Sequence, residues 1–506
     1  MAAGTLIVRA DAAVDIGTGH VMRCLALAQA WQDSGGEVVF AMARSTPAIA
    51  ARLAGERFEV LNLTPATGDA PQLIAFAKAR HARWIVLDGY HFQPQYQHSI
   101  RDAGFKLMLL DDGWRPDHYF ADLVLNQNVH AEEFLYSKRE PYTRLLLGPA
   151  YAMLRREFTA WHNSERVFPA VAAKVLITMG GSDPDNLTLR AIRALQSLSI
   201  AALETTVVVG GSNPHLESLQ RAASPFGTAI RLIKDPANMP ELMSAADVAI
   251  SGAGATCWEM CFLGLPALVV DLAPNQLPIA RELSRSQVAI HLGSTATVTE
   301  SHIATQLEAL LRSAARRAAM SAQGRALIDG KGAQRVLCAL QTSTLRLRPV
   351  EQRDCRLLWE WANEPGVRAA SFSQHPIPWE DHQAWFAGKM KDRNSLILIG
   401  EDERGAAIGQ FRADTSSGKE KEAYIDVSLA PEARGAGCGS LLIDSGVRQV
   451  FASTTAQSLH AFIRPENRAS LRAFERAGFT RLGQELVKGN PAIHYIRMRE
   501  TAGAGR

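Results

Sequence analysis

Four glycine-rich segments carry the chemistry in this sequence. The first, Ile16-Gly17-Thr18-Gly19-His20, leads into a helical pattern in which Val21, Cys24, Leu25, Ala28 and Trp31 share one face, so the helix starts close to His20. Gly17 and Gly19 let the backbone approach a ligand closely, and a helix N-terminus favours the negative charge of a diphosphate. An imidazole at that point can take a proton from water near neutral pH; a helix-start histidine without chemistry is the alternative. The second segment is Met179-Gly180-Gly181-Ser182-Asp183, with Asn186 just beyond, and the third is Ser251-Gly252-Ala253-Gly254-Ala255-Thr256, running into a helix that carries Glu259. Both sit at strand ends, where glycine turns can cradle base, ribose and phosphates with backbone amides. Glu259 can accept both ribose hydroxyls; an exposed helix carboxylate is the other reading. The fourth, Arg434-Gly435-Ala436-Gly437-Cys438-Gly439, lies between a strand and a helix and suits a pyrophosphate.

The elements that must hold these segments follow from hydrophobic patterning. Short apolar runs alternate with helical patterns through the first two thirds of the chain. Strands are expected at 6–8, 38–42, 84–87, 107–110 and 123–125, then at 175–178, 206–209, 230–233, 248–250, 267–270 and 288–292. Unbroken apolar strands between helices imply parallel sheets covered on both faces. The aromatic, charged and strandless stretch from Tyr151 to Pro169 reads as the crossing between two such sheets. Two doubly wound domains facing a cleft would hold a ligand at the carboxyl ends of their strands. After Asp329-Gly330-Lys331-Gly332 a last helix begins, and the pattern then changes: Leu345–Pro349 alternates, and antiparallel-looking strands follow at 395–400, 407–412 and 423–429. The expected domains are residues 1–152, 153–340 and 345–500.

Bulk properties narrow the class. A chain of 506 residues suggests roughly three folding units. A net charge of +3 is too small to drive nucleic-acid binding through bulk charge. The six cysteines are scattered; Cys257 and Cys261 have helical spacing, but no second Cys or His pair completes a zinc set. No basic-then-apolar leader opens the sequence and no apolar run approaches the roughly 20 residues needed to span a bilayer, so a cytoplasmic protein without membrane or nucleic-acid partners is expected.

Taken in order, Arg9-Ala10-Asp11, the run from Ile16 to Arg23, Met179–Asp183, Ser251–Glu259 and Asn275-Gln276 resemble the UDP-2,4-diacetamido-2,4,6-trideoxy-β-L-altropyranose hydrolases of pseudaminic acid synthesis, over about residues 4–340. The resemblance implies the two-domain glycosyltransferase-B architecture, with His20 as general base for inverting attack of water at the anomeric carbon. It implies UDP contacts at Gly17, Gly19, Gly180, Gly181, Ser182, Asn186, Ser251, Gly252, Thr256 and Glu259. Arg9, Asp11, Asp88, Tyr90, Asn275 and Gln276 become candidates for the sugar site. UDP is a good leaving group, so a protein acid is less necessary than in ordinary glycosidases. No Asp-x-Asp cluster stands out, and no metal is expected.

The Arg434–Gly439 loop, with the strand Tyr424–Leu429 before it and Asn467–Phe479 after it, resembles the GCN5-related N-acetyltransferases, over about Thr344–Met498. Acetyl-CoA is then a cosubstrate, no cofactor being tightly bound, with contacts at Val427, Leu429, Arg434, Gly435, Gly437, Gly439 and Asn467. Asn467 serves either the coenzyme or the local backbone. The segment Ser371–Ile377, with Trp379 and His382, further resembles the acetyltransferase of the same pathway. Phe474, which cannot donate a proton, stands where many members have a tyrosine acid, so the acid stays open, with Tyr495 as a candidate. His375 and Glu422 are candidates for base or substrate positioning, against readings as a loop histidine and a solvated carboxylate. UDP-amino sugars are the implied substrates, with other enzymes of the pathway as partners. The acetyltransferase would make the hydrolase's substrate by 4-N-acetylation. A glycosyltransferase, a legionaminic-type hydrolysing epimerase and a non-catalytic sugar-nucleotide module compete with the hydrolase.

Overall fold

The computed structural model describes residues 4–64, 68–113, 116–161, 165–200, 202–342, 345–402, 405–415, 421–435 and 438–499. The chain folds as two compact units, residues 2–333 and 334–506.

The first unit holds two parallel sheets. In the first, β1 (Thr5–Ala10), β2 (Glu37–Met42), β3 (Glu59–Asn62), β4 (Trp84–Asp88), β5 (Lys106–Leu110), β6 (Leu123–Asn126) and β7 (Arg144–Leu147) lie in the order β3-β2-β1-β4-β5-β6-β7. All residues of β1, β4 and β6 are buried, as unbroken apolar strands covered on both faces must be. The order reverses direction between β1 and β4, and there Ala10 lies opposite Asp88. The edge strands β3 and β7 are only half-buried, which is why Glu59-Val-Leu-Asn and Arg144-Leu-Leu-Leu carry too weak a pattern to be expected from sequence.

The second sheet contains β8 (Lys174–Thr178), β9 (Glu204–Val209), β10 (Ile230–Lys234), β11 (Val248–Gly252), β12 (Ala267–Asp271) and β13 (Ala289–Ser294), in the order β10-β9-β8-β11-β12-β13. Its side chains alternate between two cores. Val175, Ile177, Val248 and Ile250 pack on one face, while Leu176, Ala249 and Val269 pack on the other with Trp258 and Phe262. The switch point falls between β8 and β11, with Thr178 opposite Ser251. Among its described residues the crossing between the sheets holds no strand, and a short helix lies at Arg156–Thr159. Two Rossmann-like domains joined in this way form the glycosyltransferase-B architecture.

In the second unit β14 (Arg346–Pro349), β15 (Ser395–Glu401), β16 (Ala407–Thr415), β17 (Glu422–Leu429), β18 (Ser458–Ile463), β19 (Thr480–Val487) and β20 (Asn490–Met498) form one sheet, ordered β14-β15-β16-β17-β18-β20-β19. Every pairing is antiparallel except β17 with β18. That parallel ladder runs only from Glu422–Ser458 to Tyr424–His460, after which the strands part. Leu459, Ala461 and Ile463 pack with Leu442 and Val447 of the helix Cys438–Ser453, which turns Ser458, His460 and Phe462 to the opposite face.

Candidate active sites

Both switch points of the first unit open on one cleft of about 1010 Å³. Gly17, Thr18, Gly19 and His20 line one wall, and Gly180, Gly181, Ser182, Ser251, Gly252 and Thr256 line the other. The helices Gly19–Asp33 and Thr256–Leu263 both begin here, and at neither does an N-cap side chain accept from the first turn. The Gly19 and Thr256 amides are thus left for an anion, while those of Cys257 and Trp258 already donate to the Gly254 and Ala255 carbonyls. The walls meet closely, since a Cβ on Gly181 would run into the Thr18 hydroxyl; within the second wall, one on Gly210 would run into the carbonyl oxygens of Gly180 and Gly181.

His20 is buried, and its Nδ1 lies 2.6 Å from Asp88 Oδ1. Burial opposes the charge on Asp88, but Arg23 and then His20 outweigh it and hold the carboxyl well below the usual range. A carboxylate only accepts, so the hydrogen of this bond lies on Nδ1, and whenever the ring is neutral its lone pair is on Nε2. Arg23, one turn after His20, donates from Nε to Asp88 Oδ2 (2.6 Å) and from Nη1 to Asp112 Oδ2 (2.9 Å). Tyr90 donates its hydroxyl to the same Asp112 oxygen at 3.1 Å and meets the His20 ring edge-on, with centroids 5.0 Å apart. From the other wall Asn275 donates Nδ2 to the Tyr90 hydroxyl at 2.9 Å. Burial, then the Asp112 charge, raises the Tyr90 pKa and keeps the phenol protonated.

Glu259 lines the cleft and pairs with Arg155, whose Nε and Nη2 donate to Oε1 at 3.2 and 2.8 Å. Burial raises its pKa in spite of that arginine. Arg155 also pairs with Glu157, which accepts from Arg52 at 2.9 Å, so one ionic chain ties the crossing segment to both Rossmann-like domains.

In the second unit Gly435 has φ +77°, and a Cβ there would stand 2.5 Å from Nε of Arg335. Arg434 pairs with Glu364 at 2.6 Å and donates from Nε and Nη2 to the Leu429 carbonyl, both at 3.3 Å, pinning the loop to the end of β17. Asn467 caps the helix Arg468–Arg476, its Oδ1 accepting from the Ser470 amide at 3.1 Å.

The acetyltransferase (GNAT) domain family matches residues 344–480, and the glycosyltransferase family 28 C-terminal domain matches residues 175–336. The chain joins these two domains. An uncharacterised protein of Methanocaldococcus jannaschii is 24% identical over 497 residues, 94% of this chain and 97% of its own. The spore coat polysaccharide biosynthesis protein SpsG of Bacillus subtilis is 24% identical over 334 residues, 66% of this chain and 96% of its own. The UDP-2,4-diacetamido-2,4,6-trideoxy-β-L-altropyranose hydrolase of Campylobacter jejuni is 27% identical over 284 residues, 55% of this chain and 96% of its own.

Several residues singled out from sequence take places other than those expected. Arg9 and Asp11 do not line the cleft: Arg9 points from β1 into a buried cluster, 2.7 Å from Asp11 and from Asp69. Asp88 also lies behind the cleft wall, fully buried, and touches His20 rather than the open space. Asn186 faces Ser218 outside the cleft, at 3.2 Å. Gln276 lines the cleft and ties its own loop, accepting from the Leu272 amide at 3.0 Å. Val427 and Leu429 lie half-buried on β17 of the GNAT domain, and Gly439 lies within the helix Cys438–Ser453. Gly437 lies outside the described residues. Tyr495 belongs to the core: its hydroxyl donates to Glu475 at 2.7 Å, and burial, then that bond, pushes its pKa up to about 12. His375 is exposed on the loop before the helix Trp379–Lys391.

The cleft also holds residues that sequence reading passed over. Arg23 stood inside the quoted run without a role, although its i+3 spacing from His20 was the available signal. Asp112 follows β5 in an Asp-Asp-Gly turn, the same strand-end signature as the glycine segments. Arg155 lies in the crossing, where nothing in the local pattern marks it.

Proposed function

We propose that the chain is a bifunctional nucleotide-sugar enzyme. Its first unit hydrolyses a UDP-linked 2,4-diacetamido-2,4,6-trideoxy sugar with inversion, and its GNAT domain acetylates the 4-amino group of the UDP-sugar precursor from acetyl-CoA. The observation that carries the hydrolytic reading is the 2.6 Å contact of His20 Nδ1 with Asp88 beside two uncapped helix starts. The name and extent of the Campylobacter jejuni relative support the substrate class.

In this reading Nε2 of His20 takes a proton from water as the oxygen bonds to the anomeric carbon and the carbon–phosphate oxygen bond breaks. Asp88 stabilises the resulting imidazolium, a role for which a buried, acceptor-only carboxylate is suited. The charge arriving on UDP meets the amides of Gly19 and Thr256 and the loops at Gly180 and Gly252. Glu259 keeps Oε2 for a ribose hydroxyl while Arg155 holds Oε1. Asn275, Tyr90 and Asp112 border the sugar.

In the GNAT domain the parting of β17 from β18 leaves backbone groups along Ile425–Leu429 that the β18 ladder does not pair. An amide-bearing arm such as pantetheine can bind there as an added strand, with its pyrophosphate at the Arg434–Gly435 loop. The neutral amine nitrogen then attacks the thioester carbonyl, the carbon–sulfur bond breaks, and the proton the amine loses leaves with the sulfur as thiol.

The full chain, incubated with the UDP-4-amino sugar and acetyl-CoA in oxygen-18 water, should yield an acetylated free sugar labelled at C1, together with UDP. Acetylated sugar that still carries UDP would refute the hydrolytic half. His20→Ala should lower UDP release by about 10²–10⁴-fold and leave acetylation intact, as a general base residing in the other unit requires.

A further inference from the structure

The six cysteines are scattered in sequence, but the second unit brings two of them together. Cys338 lies on the helix Gly332–Gln341, and Cys438 is the first residue of the helix Cys438–Ser453, directly after Arg434–Gly437. Their sulfurs stand 3.4 Å apart, and both pack in one apolar cluster with Ile399 and Ala433. Thr342 fixes the hydrogens. Its hydroxyl donates to the Cys338 carbonyl at 2.7 Å, so at its 3.4 Å contact with Cys438 the thiol donates and Thr342 accepts. With the Cys438 hydrogen spent there, Cys338 is the donor between the two sulfurs, and a lone pair of Cys438 faces the Cys338 sulfur. That is the direction from which one sulfur displaces a group leaving the other.

The other four cysteines are built to stay inert. Cys24, Cys257, Cys261 and Cys355 are buried, and burial raises the pKa of each thiol, that of Cys261 to about 12. Of the six, Cys338 alone is half-exposed, so a small oxidant in solution reaches it first.

We propose that Cys338 and Cys438 form a reversible disulfide that weakens acetyl-CoA binding when the chain meets a peroxide. The target of this switch rests on the acetyltransferase reading above; the crosslink itself does not. The Cys338 thiolate attacks one peroxide oxygen, the O–O bond breaks, and the departing hydroxide takes up the thiol's proton as water. Cys338 is then a sulfenic acid. Cys438 attacks its sulfur, the S–S bond forms, the S–O bond breaks, and the hydroxyl leaves with the Cys438 proton as a second water. Two thiols and one peroxide give one disulfide and two waters, and two electrons pass from sulfur to oxygen.

The coenzyme loop feels this closure. The sulfurs must come from 3.4 Å to about 2.05 Å. Arg335, on the same helix, already lies against Gly435, where a Cβ would stand 2.5 Å from its Nε. Drawing the helix and Cys438 together presses that side chain onto the turn that Gly435 makes at φ +77°, while the bond from Cys438 to Thr342 is lost.

The test treats the full chain with hydrogen peroxide and follows thiols, peptide maps and acetyl-CoA affinity by calorimetry. Thiols titrated after denaturation should fall from six to four, with Cys338 and Cys438 recovered in one crosslinked peptide pair. The Kd for acetyl-CoA should rise at least about tenfold, and dithiothreitol should restore both thiols and affinity. Cys338→Ser should show one Kd before and after peroxide; if it does not fold, the wild-type crosslink and its reversal carry the test. No crosslinked peptide, or a crosslinked chain with the Kd of the reduced one, would overturn the switch alone. A reduced chain that binds no acetyl-CoA would sink the acetyltransferase reading and the switch with it.

Discussion

At the residue scale, the proposed hydrolysis rests on the pairing of His20 with Asp88. Asp88→Asn keeps the shape but removes the charge that fixes the ring and steadies its protonated form. UDP-sugar hydrolysis should fall by about 10²–10⁴-fold, with acetyl transfer unchanged, in parallel assays of the two products. The same carboxylate makes an acid-stability prediction. Its folded pKa lies below the unfolded value of about 4, so its stabilising contribution is complete above that pH and is lost as pH falls toward the folded value. Asp88→Asn lacks this contribution, so its unfolding free energy should fall less steeply with acid below about pH 4, as read by denaturant titration. Sequence exposed His20 because its loop is local and spelled out. It could not expose the task of Asp88, 68 residues away, because only the β1–β4 register brings the two together. Tyr495 fails for the converse reason: its type suits an acid, but strand alternation turns it into the core.

At the scale of elements, both strand orders reverse where the glycine segments leave their strands, so the loops of β1, β8 and β11 converge by topology. Glycine is required where the two walls touch. Gly181→Val would drive a branched side chain into Thr18, and the first wall would have to retreat. UDP-sugar hydrolysis should be lost or its KM raised at least about tenfold, with UDP affinity by calorimetry falling alongside, while acetyl transfer keeps its wild-type rate. The sequence exposed the central strands because burial on both faces leaves an unbroken apolar run. It missed β3 and β7, and in the GNAT domain β18, β19 and β20. β19 is largely exposed, and Leu482 and Leu486 stand among polar neighbours, so no period of two emerges. The hydrogen-bonded run His460–His494–Glu485 was hidden for this reason, since its residues become neighbours only once those strands pair.

At the scale of the whole molecule, the helix Gly332–Gln341 begins in the first compact unit and continues in the second. A Cβ on Gly332 would collide with the backbone carbonyl of Ala152, so the helix start is packed against the crossing segment. Further along, Cys338 Sγ lies 3.4 Å from Cys438 Sγ, and Arg335 lies against Gly435, beside the loop proposed to hold pyrophosphate. The sequence reading ends the second domain at residue 340 and begins the third at 345, because helix packing leaves no local mark. The difference can be measured with two GNAT fragments. One starting at residue 334 keeps Arg335, Cys338 and Thr342 against the loop and should bind acetyl-CoA with the affinity of the full chain. One starting at residue 345 leaves Cys438 without that cover, and should melt lower and bind acetyl-CoA at least about tenfold more weakly by calorimetry. Equal affinity in the two fragments would make the helix a linker alone. A difference would make it part of the acetyltransferase, so that this helix also shapes the Arg434–Gly435 loop proposed to hold the coenzyme.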